Sequence, residues 1–359
     1  MNPLLQNHPN ELNFPVRAKW KYFEKFKHSL PLAYGLAVLT ASFALIGVFF
    51  LVVLIQKLLR EQTAPTAAQW NLVLGFVALL GIFALLARYI CRLPIREQRR
   101  YYQTSGATWL SEDKRQALRL HLVDIYQSGF WNETLEYYPL AAFQGTGKYH
   151  SLRLMDANVY KKGLDQSWGI LTPENYRKVI QQLLTKGYHA ESFATVLSVQ
   201  NGDNAVSQRL AALTGLPESY VLSCLEHRPN GRPPKLIWGY ECWRVIVIAR
   251  DAYMAGHITA DEAWKDMLQA ASYVFELFDN FEDFNHNYRL GNAFWSNAYE
   301  VSNERTVAYE QFVQNCNWPM AKLPWPAPKG IQLPAAMASG YATELAIAKS
   351  LRQQPGGLN

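Results

Sequence analysis

The chain has 359 residues, 49% of them hydrophobic and 18% charged, with a formal net charge of +6. That charge is unevenly placed: residues 1–100 hold 12 basic and 4 acidic side chains, whereas the remaining 259 hold 23 and 25. The basic balance belongs to the N-terminal part, so the rest of the chain lacks the cationic footprint that nucleic-acid binding needs.

Residues 1–28 are polar and basic, with Arg17, Lys19, Lys21, Lys25 and Lys27. Residues 29–56 contain no charge and are rich in Leu, Val, Ala and Phe, more than the roughly 20 residues that cross a bilayer. A second uncharged run covers residues 63–87. With only a short connection between them, the two runs predict a transmembrane helical hairpin over residues 29–92. The first run and its basic lead are too long for a cleaved signal peptide, and no small-residue cleavage pattern follows. Arg88, Arg92, Arg96, Arg99 and Arg100 border the second run, against Lys57 and Arg60 near the connection. The positive-inside rule then predicts cytoplasmic termini and a multi-pass protein of the bacterial inner membrane, its basic flanks facing anionic headgroups.

Beyond the membrane segment the patterns are helical, with few alternating strand signals, so an all-α cytoplasmic domain over residues 105–312 is expected. Ser111, Glu112 and Asp113 open a helix predicted to run through Leu118, Leu122 and Ile125. Residues 128–160 are mixed. Gln144-Gly145-Thr146-Gly147-Lys148 lacks the glycine spacing, and the Ser or Thr after lysine, of a phosphate loop, and reads as a surface turn. Thr172-Pro173-Glu174 starts a helix that ends at Gly187, leaving His189 in a turn. Residues 200–204 are a loop, residues 210–225 a helix interrupted near Gly215 and Pro217, and residues 229–234 a sharp break.

Residues 240–295 dominate the rest. Their first part is apolar throughout, which marks a buried helix, yet Glu241, Arg244, Arg250 and Asp251 are set into it. Buried charges need partners, so specific ones are expected for all four. At helical spacing Arg244 and Asp251 share a face, with Glu241 close to it and Arg250 pointing elsewhere. Gly256 supplies a left-handed cap. Thr259 and Glu262 then form a capping box, which accounts for Glu262 without any catalytic role. The next helix carries a core stripe of Trp264, Leu268, Ala271 and Phe275, and pairs antiparallel with the first. Residues 297–315 are predicted helical. Residues 313–359 hold a Pro- and Trp-rich strap, through Pro334, and a final amphipathic helix over 335–351.

Tyr240-Glu241, Arg244, Arg250, Gly256, Glu262-Ala263-Trp264, Asn280-Phe281-Glu282 and Gly291-Asn292 before Trp295 resemble the motifs of a bacterial family catalogued as domain of unknown function number 1266. Trp168-Gly169-Ile170, Gly187 and His189 fit its earlier half, so the resemblance covers roughly residues 110–310. Against that pattern Tyr240 replaces Trp, Glu241 Asp, Phe281 Trp and Asn292 Arg. The resemblance implies no particular reaction.

Cys91, Cys224, Cys242 and Cys316 are scattered and form no metal-type pair, and neither a zinc HExxH pattern nor a nucleophile elbow is present. No metal or cofactor is expected. The sequon at Asn132 carries no meaning on a cytoplasmic face. The leading expectation is a membrane-tethered interaction or binding module whose charge cluster specifies the core, with the bilayer and a protein partner as its contacts. One alternative is an enzyme or small-ligand receptor whose cleft is lined by Glu241, Arg244, Arg250 and Asp251 with His257, Asn287 or Trp295. The other is a toxin-system effector or immunity protein acting through the hairpin, which carries no intramembrane charge for a transport path.

Overall fold

The computed structural model describes residues 30–61, 64–104, 110–128, 133–137, 157–198, 204–342 and 344–346. They contain no β-strand and fall into two compact units, an N-terminal helical pair and an α-helical domain. The turn at 144–148, the sequon at Asn132 and the loop core at 200–203 lie outside the described residues.

In the first unit α1 (Pro31–Glu61) and α2 (Ala67–Thr104) pack on each other. Pro31 takes the first helical position, where its missing N–H costs nothing. Each helix has a segment long and apolar enough to cross a membrane, Pro31–Arg60 and Ala67–Ile90. Hydroxyls inside the first segment return to their own helix: Thr40 Oγ1 donates to Leu36 O at 2.8 Å and Ser42 Oγ to Val38 O at 3.0 Å. In an apolar medium that removes the penalty of an unpaired donor. α2 opens on a reciprocal box, with Thr66 N–H donating to Gln69 Oε1 at 2.7 Å and Gln69 N–H to Thr66 Oγ1 at 3.4 Å. The Phe76 ring fills the space that a side chain on Gly47 would need.

The second unit is built around α10, and its helices follow in chain order: α3 (Glu112–Arg119), α4 (Leu122–Ser128), α5 (Ala157–Trp168), α6 (Pro173–Thr185), α7 (Ala190–Ser198), α8 (Ala205–Thr214), α9 (Glu218–Ser223), α10 (Trp238–Ala255), α11 (Ala260–Leu277), α12 (Phe281–Ser296), α13 (Tyr299–Asn315) and α14 (Ala335–Ser339). α10 is enclosed by α5, α6, α11 and α12. Fourteen of its 18 residues are buried, as expected for a helix that is apolar on every side.

Where α10 and α12 cross, both backbones are bare. A β-carbon on Gly239 would lie 2.8 Å from Asn287 Oδ1, and one on Gly291 would overlap Tyr240 Cβ. The local stop and start signals act as expected. Thr172 and Thr259 cap α6 and α11, and Gly256 ends α10 at φ 77°.

Three expectations are corrected. The helix from Glu112 does not run on to Ile125: it breaks after Arg119, where Leu120 and His121 bond three residues back to Ala117 O and Leu118 O. That tight turn frees the His121 ring for the α10 core. The buried face of α11 takes in Trp264 and Ala271 as expected, together with Ala263, Met267, Ala270, Val274 and Leu277, but Leu268 and Phe275 stand at its half-exposed margin. The last helix is interrupted at Gly340 and Tyr341, which both take left-handed backbone at φ 58° and 60°, and helical structure resumes at Ala342.

The strap is a structural part of the domain. Trp318 is fully buried edge-on to Tyr126, with ring centroids 5.4 Å apart. Trp325 packs edge-on to Phe275 and donates its indole N–H to Phe278 O at 3.0 Å. From α3, Gln116 donates to Pro324 O and Arg119 to Leu323 O, both at 2.6 Å. Tyr341 stacks on Trp238 and hydrogen-bonds Lys186 O.

Candidate functional site

The charges of α10 separate into two groups with no partner in common. In the first half of the helix Glu241 is wholly buried and Arg244 is 4% exposed. Being three residues apart they meet within one turn, and the guanidinium Nη2 donates to the carboxylate. The other Glu241 oxygen accepts the backbone N–H of His189 at 2.7 Å. Gly187 permits this approach, since a β-carbon there would sit 3.1 Å from the Glu241 carboxyl carbon. Three rings enclose the cation: Tyr240 at 4.5 Å, Trp168 at 5.4 Å and Tyr188 at 5.7 Å from the guanidinium carbon. Burial, and then the Arg244 charge, hold the His189 imidazole below its ordinary value, with Glu241 opposing them.

Asn287 secures the start of the same helix. Its side chain is fully buried, accepts the N–H of Gly239 at 2.8 Å and donates to Leu236 O at 2.6 Å. Ile237, in the N-cap position, offers no side-chain acceptor, so α12 supplies the cap across the Gly239–Gly291 crossing.

In the second half of α10 the neighbours Arg250 and Asp251 both turn to residues 133–137. Arg250, 1% exposed, donates from Nε to Leu135 O at 3.0 Å and from Nη2 to Thr134 O at 3.3 Å. Its Nη1 lies 3.2 Å from His121 Nδ1. A guanidinium has no acceptor, so His121 Nδ1 is the acceptor and the imidazole is neutral. Burial first, then the Arg250 and Arg305 charges, push the His121 pKa far down. The Tyr137 ring covers the Arg250 guanidinium at 4.2 Å, and its hydroxyl donates to Asp251 Oδ1 at 2.9 Å. Loss of water raises the Asp251 carboxyl to about 7, against the opposing pull of Tyr137 and Arg250.

The sequence-derived candidates therefore do not form one cleft. Arg244 and Asp251 share a helix face but serve different partners, while Arg250 and Asp251 serve the same segment. Glu262 does not reach back to its own cap. Its carboxylate accepts Arg177 Nε at 2.8 Å, in a pair that is 56% exposed on the arginine side. His257 sits in the turn after α10, its N–H bonded to Ala252 O. Trp295 is 57% exposed at the end of α12. Asn292, where the resembled pattern has arginine, is buried, and its Oδ1 has no hydrogen-bond partner.

Sequence reasoning missed His121, Tyr137 and the whole of residues 133–137. That segment has no periodicity, and its nearest signal was the surplus of buried charge on α10 that lacked a local answer.

Comparison with known proteins bears on residues 163–325, which match the model of a family described as "Protein of unknown function (DUF1266)". The chain is also similar to "Inner membrane protein YnjI" of Escherichia coli (strain K12), with 28% identity over 351 residues, covering 90% of this chain and 97% of that protein. No solved structure matches the chain.

Proposed function

We propose that the protein, whose residues 163–325 match the DUF1266 family model and whose chain carries two apolar N-terminal helices, is a membrane-anchored module that works by binding a protein partner. In this reading α1 and α2 cross the bacterial inner membrane as a hairpin, both termini are cytoplasmic, and the helical domain presents its surface at the cytoplasmic side. The name of the Escherichia coli relative and the basic flanks of the two apolar segments support that placement.

The observation that carries the reading is the Glu241–Arg244 pair. It is sealed, neutralised within one turn and enclosed by three rings, which suits a scaffold and leaves recognition to groups outside it. A scaffold pair and a ligand anchor respond differently to substitution. In the full chain in detergent, Arg244→Ala is expected to strip Glu241 of its counter-ion and lower the melting temperature sharply. A melting temperature within a degree or two of the parent's would overturn the scaffold reading. Reporter fusions at residue 65 and at the C-terminus test the topology, and a periplasmic C-terminus would refute it.

A further inference from the structure

Side chains of four helices, α4, α10, α12 and α13, meet at an ion pair that stays open to solvent. From α13, Arg305 Nη1 donates to Asp124 Oδ1 on α4, and the two side chains keep 35% and 19% of their surface exposed. Trp243 of α10 donates its indole N–H to the same carboxylate. Its half-buried ring lies 4.7 Å from that of Tyr288 on α12, centroid to centroid. Asp124 thus fixes the guanidinium at one end, and the Nε–Nη2 edge has no hydrogen-bond partner among the described residues.

Tyr288 brings an unmet donor to the same pair. The residue is 4% exposed, and its buried hydroxyl has no hydrogen-bond partner among the described residues. Burial, then the Asp124 charge, push the phenol well above its ordinary value, with Arg305 opposing, so it stays a neutral O–H donor. Packing does not call for that hydroxyl. A phenylalanine would fill the place of the ring without leaving a buried donor unmet, a cost that folded proteins avoid. The Asp124–Arg305 pair adds little stability of its own, because water screens its partly exposed charges.

The groups left unused here are all donors, the guanidinium edge and the phenol, while the carboxylate already holds Arg305 and Trp243. Two parallel N–H groups on a guanidinium edge match the two oxygens of a carboxylate. The phenol supplies a further donor, and the Trp243 ring a wall for an apolar body.

We propose that Asp124, Trp243, Tyr288 and Arg305 form a binding site for a small organic carboxylate, with Arg305 as its anchor. The site goes beyond the protein-partner reading and does not rest on it.

The probe is sodium benzoate, titrated against the full chain in detergent, with the same concentration of sodium chloride as reference. About 10 mM benzoate is expected to raise the melting temperature by roughly 3 °C, the shift for a ligand at about ten times its Kd. Tyr288→Phe should melt no lower than the parent without benzoate. It should need about tenfold more benzoate for the same shift, since a hydrogen bond to a charged group is worth about that factor or more. Arg305→Lys keeps the charge but not the fork, and should lose the shift.

The proposal fails if benzoate leaves the parent unmoved, or shifts the parent and both variants alike, as it would by acting through the micelle. A Tyr288→Phe chain that melts lower without benzoate also defeats it, because the hydroxyl then has a structural partner. Stabilisation by sodium phosphate where benzoate gives none overturns the carboxylate assignment. Should Arg305→Lys not fold, the Tyr288→Phe titration decides.

Discussion

The two halves of α10 solve one problem, an arginine in an apolar core, in opposite ways. Arg244 has its counter-ion three residues away on the same helix, so its solution is made as soon as the helix forms. Arg250 has neutral carbonyls 115 and 116 residues away in sequence, and a histidine kept neutral. The first arrangement is local and symmetric in charge. The second is long-range, leaves a carboxyl that titrates near neutral pH, and depends on a segment without regular structure. A buried ion pair made within one turn marks scaffold, whereas a buried cation satisfied by a distant loop marks a place where two parts of the chain recognise one another.

The sharpest way to break the comparison is Arg244→Ala. Leaving Glu241 buried and unpaired should cost on the order of 3–5 kcal/mol, read from denaturant midpoints of the full chain. Replacing both partners together, Glu241→Gln with Arg244→Met, should cost less than the single change. If the double variant is the worse one, the pair is not an isolated scaffold unit.

Next in size is Asn287→Ala, which strands Gly239 N–H and Leu236 O at the start of α10, at about 1–3 kcal/mol for each buried group left unpaired. Equal melting temperatures for variant and parent would show that Asn287 does not hold the helix start.

The second half of α10 is probed by pH. Burial raises the folded-state pKa of Asp251 to about 7 from an ordinary value near 4, so between those limits the folded protein holds a proton that the unfolded chain releases. The Asp251 contribution is therefore most favourable at low pH and declines as pH rises toward 7. His121 acts in the other direction, since its depressed folded pKa removes stability as pH falls below about 6.5. The informative quantity is the difference between Asp251→Asn and parent: the variant should gain melting temperature relative to the parent at pH 8 and lose that gain at pH 5. A pH-independent difference would place Asp251 in ordinary solvent.

The smallest effect belongs to Glu262→Ala. The pair with Arg177 is exposed, and its loss should change stability by roughly 0–1 kcal/mol in thermal melts.

What could be read from the sequence was local. The uninterrupted apolar runs give the two N-terminal helices, Thr172, Thr259 and Gly256 give helix ends, and the spacing of Glu241 and Arg244 gives their pairing. What could not be read depends on distant partners. The break after Arg119 serves a histidine that meets α10, and the buried face of α11 keeps Trp264 and Ala271 of the expected stripe but leaves Leu268 and Phe275 at its margin. The interruption of the last helix at Gly340 goes with a tyrosine that crosses to Trp238. The answer to Arg250 lies in a segment with no period of its own, so periodicity could only show that an answer was needed.

The strap also sets the order of events during synthesis. α3, the first helix of the domain, closes its polar contacts on Leu323 and Pro324, whose sequence separations from Arg119 and Gln116 are 204 and 208 residues. At about 5–20 residues per second, a ribosome needs roughly 10–40 seconds to cover that distance. By then both apolar helices have emerged, and Gln116 and Arg119 still lack their carbonyl partners. The domain is thus completed from its C-terminal side, on a chain whose two apolar helices are made before it. Contacts of such high order fold slowly, so the protein spends the interval before Trp318 and Trp325 arrive as an unfinished nascent chain.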